Sequence, residues 1–170
     1  MKHSLLVIMG PSGCGKSRIG EVLSAALDIP MIEGDDYHPQ INIDKMSSGQ
    51  PLSDIERKAW LDAIEERLER EFAEQIILAC SALTPYVQGR FRSLARWQPR
   101  FFLLQAPKEL LLLRMRKRKH HFMPLELLGS QCAALSVPHD AHIIDAKQSI
   151  DQIVATISEL LDNPSDEGTQ

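Results

Sequence analysis

The feature that most constrains the fold is a short apolar segment followed at once by a glycine-rich loop and an amphipathic helix. Leu5 to Met9 is a continuous apolar run, which is typical of a strand buried on both faces of a parallel sheet. Residues 10–17 read GPSGCGKS and fit the pattern G-x-x-x-x-G-K-[ST], and residues 16–27 carry apolar side chains at helical spacing. A strand, loop and helix of this kind curl successive backbone N–H groups around an anion, so the segment predicts a phosphate-binding loop.

The residue types in this loop match the chemistry of a nucleoside triphosphate. Glycines allow unusual backbone angles and a close approach of phosphate oxygens. Lys16 is placed to reach the β- and γ-phosphates, and the Ser17 hydroxyl is placed to ligate Mg²⁺. The predicted nucleotide-binding residues of the loop are Gly10, Ser12, Gly13, Cys14, Gly15, Lys16 and Ser17. ATP and Mg²⁺ are therefore the expected ligands, and Lys16 is an expected catalytic residue.

Apolar segments and helical patterns alternate along the rest of the chain. Further strands are predicted at 29–32, 76–80, 101–104 and 141–144. Helices are predicted at 41–48, 109–118 and 125–135, and from the capping boxes that Ser53 and Ser149 begin. The helix after Ser53 is expected to carry Trp60, Leu61, Ile64, Leu68 and Phe72 on one face. This alternation predicts an α/β fold, a three-layer sandwich of a five-stranded parallel sheet with helices on both faces.

Length, charge and cysteine content exclude several classes of protein. The 170 residues suit one domain, expected over 1–162, with a loose polar tail over 163–170. The formal net charge of −4 argues against a nucleic-acid-binding polycation, and no apolar stretch reaches the 18 residues of a membrane span. The three cysteines lack metal-ligand spacing, which predicts reduced thiols in a cytoplasmic protein.

Acidic residues follow the second predicted strand. The chain reads EGDD at 33–36, whereas the third strand ends in ACS at 79–81 with no carboxylate. A carboxylate beside the phosphate loop can organise a Mg²⁺-bound water or accept the proton of an attacking hydroxyl. Together with an acceptor-sized insertion at about 36–60, these acids favour a small-molecule kinase. The residue pattern alone leaves open which of these carboxylates acts.

Several ordered blocks of this chain resemble the gluconokinases. They are GDDYHP at 34–39, KM at 45–46, WL at 60–61, CSAL at 80–83, HFMP at 121–124 and SQ at 130–131. The resemblance covers residue 8 to about 155 and implies a P-loop NTPase fold like that of shikimate and nucleoside-monophosphate kinases, with a small lid at about 118–130. It also implies transfer of the ATP γ-phosphate to a hydroxyl of D-gluconate, giving 6-phosphogluconate.

The resemblance assigns roles to individual residues. It implies that Asp35 acts as the base or orienter for the acceptor hydroxyl and reaches the Ser17-bound Mg²⁺ through water. It also implies that His38 and Arg57 contact the sugar acid. Arg118 matches an arginine just before the lid, where it would contact phosphate as a catalytic residue. Arg114 supports it from one helical turn earlier.

The match is weakest after residue 83. Thr84 and Gln88 stand where the family usually has lysine and arginine, while Arg92 falls where a later family arginine would bind substrate. A hydrogen bond to a charged group is worth about 1.5–3 kcal/mol, so each lost contact to an acceptor carboxylate would weaken binding by about 10- to 150-fold. Arg90 and Arg92 are the nearby candidates to replace them.

The sequence therefore leaves alternatives open. One is a kinase for a related sugar acid or polyol; another is a catalytically weak nucleotide-binding module that uses the basic run at 114–119 to meet a nucleic acid or a protein. The leading expectation is a small sugar acid as partner, with no nucleic acid and no membrane. The resembling kinases are often dimers, which makes a homodimer one option.

Overall fold

The computed structural model describes residues 2–118 and 123–163. Its five strands are β1 (His3–Met9), β2 (Met31–Glu33), β3 (Gln75–Ala79), β4 (Trp97–Gln105) and β5 (His142–Asp145). The helices are α1 (Lys16–Leu27), α2 (Gln40–Ser47), α3 (Asp54–Glu69), α4 (Pro85–Arg92), α5 (Lys108–Lys117), α6 (Leu127–Ala134) and α7 (Ile150–Asp162), and a 3₁₀ turn covers Gly34–Tyr37. Part of the expected lid (119–122) and the expected tail from 164 onward lie outside the described residues.

The strands form one parallel sheet whose order is β2-β3-β1-β4-β5. Alternate residues of β1 enter two different cores. Leu5, Val7 and Met9 pack with side chains of α3 and α4, whereas Leu6 and Ile8 pack with side chains of α1, α5 and α7. Burial on both faces explains the unbroken apolar run, and the predicted three-layer α/β sandwich is confirmed.

The prediction for Phe72 was wrong. Helix α3 ends at Glu69, and the Phe72 side chain is 93% exposed. The chain leaves the helix after Arg70 in order to reach β3 at Gln75, so helical spacing no longer places residue 72 on the apolar face. The four residues that do lie within α3, Trp60, Leu61, Ile64 and Leu68, are buried as predicted.

Helix α4 is an element that the sequence patterns did not predict. Its N-cap is Thr84, whose hydroxyl accepts a hydrogen bond from the Val87 N–H at 3.4 Å, and Pro85 occupies the first turn. A threonine followed by proline is a recognised start signal for a helix, and it was the available clue. The helix matters because its first turn faces a pocket described below.

The sheet topology determines where a ligand can bind. From β1 the chain goes to one side for β2 and β3, and to the other side for β4 and β5. Parallel α/β sheets bind ligands outside the carboxyl ends of their strands at such a switch point. The glycine-rich loop after Met9 lies there. Within the two described ranges, no helix is long and apolar enough to cross a membrane.

Candidate active site

The loop at residues 10–17 joins β1 to α1 with three glycines at positive φ, Gly15 at +103° and two that also make close contacts. Gly10 has φ +138° and Gly13 has φ +85°, a region that other residues rarely adopt. A Cβ at Gly13 would lie 2.7 Å from the Leu111 carbonyl oxygen, and one at Gly10 would lie 2.9 Å from the Leu104 carbonyl oxygen. The loop is therefore pressed against β4 and α5, and its backbone is available to a ligand on the opposite side.

The N-terminus of α1 completes an anion site. Gly15 is the N-cap and contributes no capping side chain, so the first N–H groups of the helix are left for another acceptor. Lys16 lies in the first turn and donates from Nζ to the Pro11 carbonyl oxygen at 3.2 Å. Ser12 and Cys14 are buried within the loop. The geometry predicted for a phosphate-binding loop is present.

Arg114 of α5 and Arg118, which follows the last residue of that helix, lie beside this loop. They help to line a cleft of about 300 Å³ together with Gly13, Cys14, Gly15, Arg18, Ile19, Ala146, Gln148, Ile150 and Ile153. Arg114 donates from Nη2 to the Ala146 carbonyl oxygen at 2.7 Å, and Arg118 is exposed where α5 ends. Arg114 thus ties α5 to the segment after β5, and Arg118 presents its charge to the cleft.

The carboxylate beside Ser17 is Glu33, the last residue of β2. The Ser17 hydroxyl donates a hydrogen bond to it, and so does the Asp35 backbone N–H, at 3.3 Å to Oε1. Burial raises the pKa of Glu33, and the Ser17 hydrogen bond opposes that effect. From the sequence, Asp35 was predicted to be the carboxylate that reaches a Ser17-bound Mg²⁺ through water and Glu33 was not named, although the place of Glu33 at the end of a strand in EGDD was an available signal.

The oxygen donors near Ser17 fit Mg²⁺ bound together with a nucleotide. Within the described part of the chain, no group of three or more His, Cys, Asp or Glu side chains could hold a metal ion on its own. Mg²⁺ commonly takes one or two protein oxygens and fills its other positions with water and substrate phosphates. The Ser17 hydroxyl and the Glu33 carboxylate supply that number of ligands.

A second pocket lies beside the phosphate loop and has Lys16 in its wall. It is lined by Ser12, Lys16, Asp35, His38, Met46, Pro51, Leu52, Arg57, Trp60, Ser81, Leu83, Thr84, Val87, Met123, Leu127, Ser130, Gln131 and Ala134. Three of the four residues predicted to bind an acceptor, Asp35, His38 and Arg57, therefore meet in one place. Since Ser12 and Lys16 belong to the phosphate loop, this pocket and the cleft share a boundary. We call it the acceptor pocket.

Packing holds His38 in the wall of the acceptor pocket. Its ring stacks on Trp60 with centroids 4.4 Å apart and planes 11° from parallel. Trp60 is itself held by a 2.7 Å hydrogen bond from Nε1 to the Gly34 carbonyl oxygen. Burial lowers the pKa of His38 to about 4, with Arg57 adding to the effect and Asp35 opposing it. His38 is therefore neutral at pH 7, able both to donate and to accept a hydrogen bond.

The depressed pKa of His38 predicts acid sensitivity. The folded protein binds this proton less tightly than the unfolded chain, so stability falls as pH drops from about 6.5 to about 4, and this group adds no further pH dependence outside that window. One proton contributes at most about 1.4 kcal/mol per pH unit. We expect His38→Phe, which keeps a ring on Trp60, to flatten the free energy of unfolding in that window, measured by urea titration.

Normalising both proteins at pH 8 removes the direct cost of the substitution. Parallel curves for His38→Phe and wild type between pH 4 and 6.5 would show that His38 titrates alike in the folded and unfolded states.

The segment with the weak family match lies partly in the pocket wall. Thr84 lines the acceptor pocket, but Gln88 is buried and its Nε2 donates to the carbonyl oxygens of Ala82 at 2.9 Å and Ser136 at 2.7 Å. Ala82 has φ +43°, so this amide holds a backbone conformation that is unusual for alanine. Gln88 is thus a structural tie between α4, the loop after β3 and the segment after α6.

The two nearby arginines do not replace the missing cations. Arg90 pairs with Glu65 at 2.6 Å, and also with Asp62, between α4 and α3. Arg92, predicted to bind substrate, instead pairs with Asp140 at 2.6 Å and lies over the Phe101 ring. Both guanidinium groups pair with acidic side chains, and neither arginine is among the residues that line the acceptor pocket.

Comparison with known proteins agrees with this geometry. A family model described as an AAA domain matches residues 5–138. A probable gluconokinase of Schizosaccharomyces pombe is 38% identical over 141 residues, which cover 79% of this chain and 73% of the relative. The chain belongs to the gluconokinase family. The resemblance seen in the sequence blocks is thereby confirmed.

Two solved structures have folds similar to that of this family member. A gluconokinase from Sinorhizobium meliloti 1021 is 37% identical with a TM-score of 0.78, over 97% of this chain and 99% of that one. Shikimate kinase from Aquifex aeolicus vf5 is 18% identical with a TM-score of 0.66, over 96% and 99% of the two chains, which shows the fold alone. The expected P-loop NTPase fold is confirmed, and a fold of this kind binds nucleotides.

Proposed function

We propose that this gluconokinase-family member transfers the γ-phosphate of ATP to a hydroxyl of D-gluconate, giving ADP and 6-phosphogluconate. The observation that carries the proposal is the shared boundary of two sites. The phosphate loop helps to line both a cationic cleft and a pocket that holds a carboxylate and an arginine. Phosphoryl transfer depends on holding a donor and an acceptor in line across such a boundary.

The roles of the side chains follow from their positions. Asp35 accepts the proton of the acceptor hydroxyl. As it does so, the oxygen of that hydroxyl forms a bond to the γ-phosphorus, and the bond between the γ-phosphorus and the bridging oxygen of ADP breaks. Lys16 and Arg118 stabilise the negative charge on the transferring and leaving groups. When bound, Mg²⁺ neutralises phosphate charge, and the Ser17 hydroxyl and Glu33 would hold it.

The acceptor pocket suits a short polyhydroxylated acid. Arg57 is only 19% exposed at its side chain and can pair with a carboxylate, although it already contacts Asp54 at 2.9 Å. The hydroxyl of Thr84 and the neutral ring of His38 can bind acceptor hydroxyls. Several relatives are named gluconokinases, which supports D-gluconate over other acids of this size.

The test is ADP release from Mg²⁺-ATP with matched acceptors. D-Glucitol has the same carbon chain as D-gluconate but no carboxylate, and a reaction without acceptor measures uncoupled hydrolysis. One charge-assisted contact through Arg57 predicts that kcat/KM for gluconate exceeds that for glucitol by about 10- to 150-fold. Equal turnover of both would favour a polyol kinase. Nucleotide binding without turnover of any acceptor would favour the binding-module alternative.

A further inference from the structure

A side chain in the wall of the acceptor pocket accepts a hydrogen bond from one backbone N–H group of the phosphate loop. The Ser12 backbone N–H donates to Oε1 of Gln131 at 2.8 Å, across 119 positions of sequence. Gln131 is half-buried on α6, whose residues Leu127, Ser130 and Ala134 also line the acceptor pocket. The contact therefore joins the nucleotide site directly to the wall that an acceptor touches.

The position of Ser12 makes this N–H significant. Ser12 and Lys16 line the acceptor pocket, whereas Gly13, Cys14 and Gly15 line the nucleotide cleft. Ser12 thus lies on the side of the loop nearest the acceptor, where the phosphate that is transferred must come. An anionic phosphate oxygen is a stronger hydrogen-bond acceptor than a neutral amide oxygen.

The other end of the Gln131 amide is weakly held. Its Nε2 lies 3.5 Å from Sδ of Met123, and a thioether is a poor hydrogen-bond acceptor. Once Oε1 loses the Ser12 N–H, little opposes rotation of the amide within the pocket. A free amide can both donate to and accept from the hydroxyls of a bound sugar acid.

We propose that Gln131 is a positioning residue that holds the Ser12 N–H until a γ-phosphate takes it, and then turns its amide to the acceptor. The inference rests on the proposed function. Binding of a nucleoside triphosphate then raises acceptor affinity, and the acceptor raises triphosphate affinity by the same factor. A diphosphate, which lacks the γ-phosphate, produces no such gain.

Calorimetric titration of D-gluconate tests the coupling without turnover. With Mg²⁺ and a non-hydrolysable ATP analogue, we expect wild-type protein to bind gluconate at least 5-fold more tightly than with Mg²⁺-ADP, the lower end of typical coupling between sites. In Gln131→Met, similar in size but unable to hydrogen-bond, we expect equal affinities under the two conditions. Gln98→Met makes the same change at an exposed position on the amino end of β4 and should keep the wild-type ratio.

A second variant tests the competition for Ser12. In Gln131→Glu an anionic oxygen takes the Ser12 N–H and repels the γ-phosphate, so affinity for the ATP analogue should fall about 10-fold more than affinity for ADP. Thermal melting shows whether either variant is folded. If the wild type turns over gluconate but the difference in gluconate affinity survives in Gln131→Met, the proposed role of Gln131 is wrong and the proposed function stands. Absence of turnover in the wild type contradicts the proposed function instead.

Discussion

Replacing Lys16 with methionine is expected to lower kcat with D-gluconate by about 10³-fold or more, with little change in melting temperature. Lys16 belongs to the phosphate loop and lines the acceptor pocket, and in the proposed reaction negative charge develops there on the transferring phosphate. Cations placed at that point in phosphoryl transfer contribute on the order of 10³-fold or more. Coupled measurement of ADP release at saturating ATP and gluconate gives kcat directly.

Lys58→Met is the matched control for Lys16. Lys58 is exposed on α3 and makes only a surface pair with Asp62, so its replacement should leave kcat within about 2-fold. A Lys16→Met protein that keeps a tenth or more of wild-type kcat would remove Lys16 from the catalytic residues.

Replacing Asp35 with asparagine is expected to lower kcat by about 10²- to 10⁴-fold, the usual contribution of a general base. The affinity for ATP should stay within about 3-fold, because the Ser17 hydroxyl donates to Glu33, which this variant leaves in place. Asparagine has the same size and can still hydrogen-bond, so the variant removes mainly the ability to take a proton. Steady-state kinetics and calorimetric titration of a non-hydrolysable ATP analogue separate the two effects.

The neighbouring carboxylate provides the control for Asp35. Asp36 is exposed in the same 3₁₀ turn and does not line the acceptor pocket, so Asp36→Asn should retain kcat. If Asp35→Asn raised only the KM for gluconate, Asp35 would be a binding residue and the proton would have another acceptor.

The different positions of the Glu33 and Asp35 carboxylates show what a local sequence pattern can and cannot predict. The sequence placed acids after the second strand, beside the phosphate loop, and that placement is correct. It did not tell which acid contacts Ser17, because the answer depends on a 3₁₀ turn that begins at Gly34 and directs the next carboxylate toward the acceptor pocket. A rotation over two residues cannot be derived from composition or spacing.

Tertiary contacts also determined which of the predicted arginines reach the acceptor pocket. Arg57 and Arg92 were both predicted from the sequence to bind the substrate. In the structure, Arg57 lies in the acceptor pocket while Asp140 draws Arg92 away from it. Asp140 is 48 positions distant, and the pairing arises only because the segment before β5 passes beside α4.

The sequence by itself determined the sheet, the phosphate loop and the family. Those features depend on apolar periodicity, glycine positions and short motifs, which act over a few residues. Only the tertiary structure showed that Gln131 reaches the Ser12 N–H, that Gln88 ties three segments together and that Glu33 contacts Ser17. These contacts join residues that are far apart along the chain or on opposite sides of a turn. They form because parallel strands bring their carboxyl ends to one edge of the sheet.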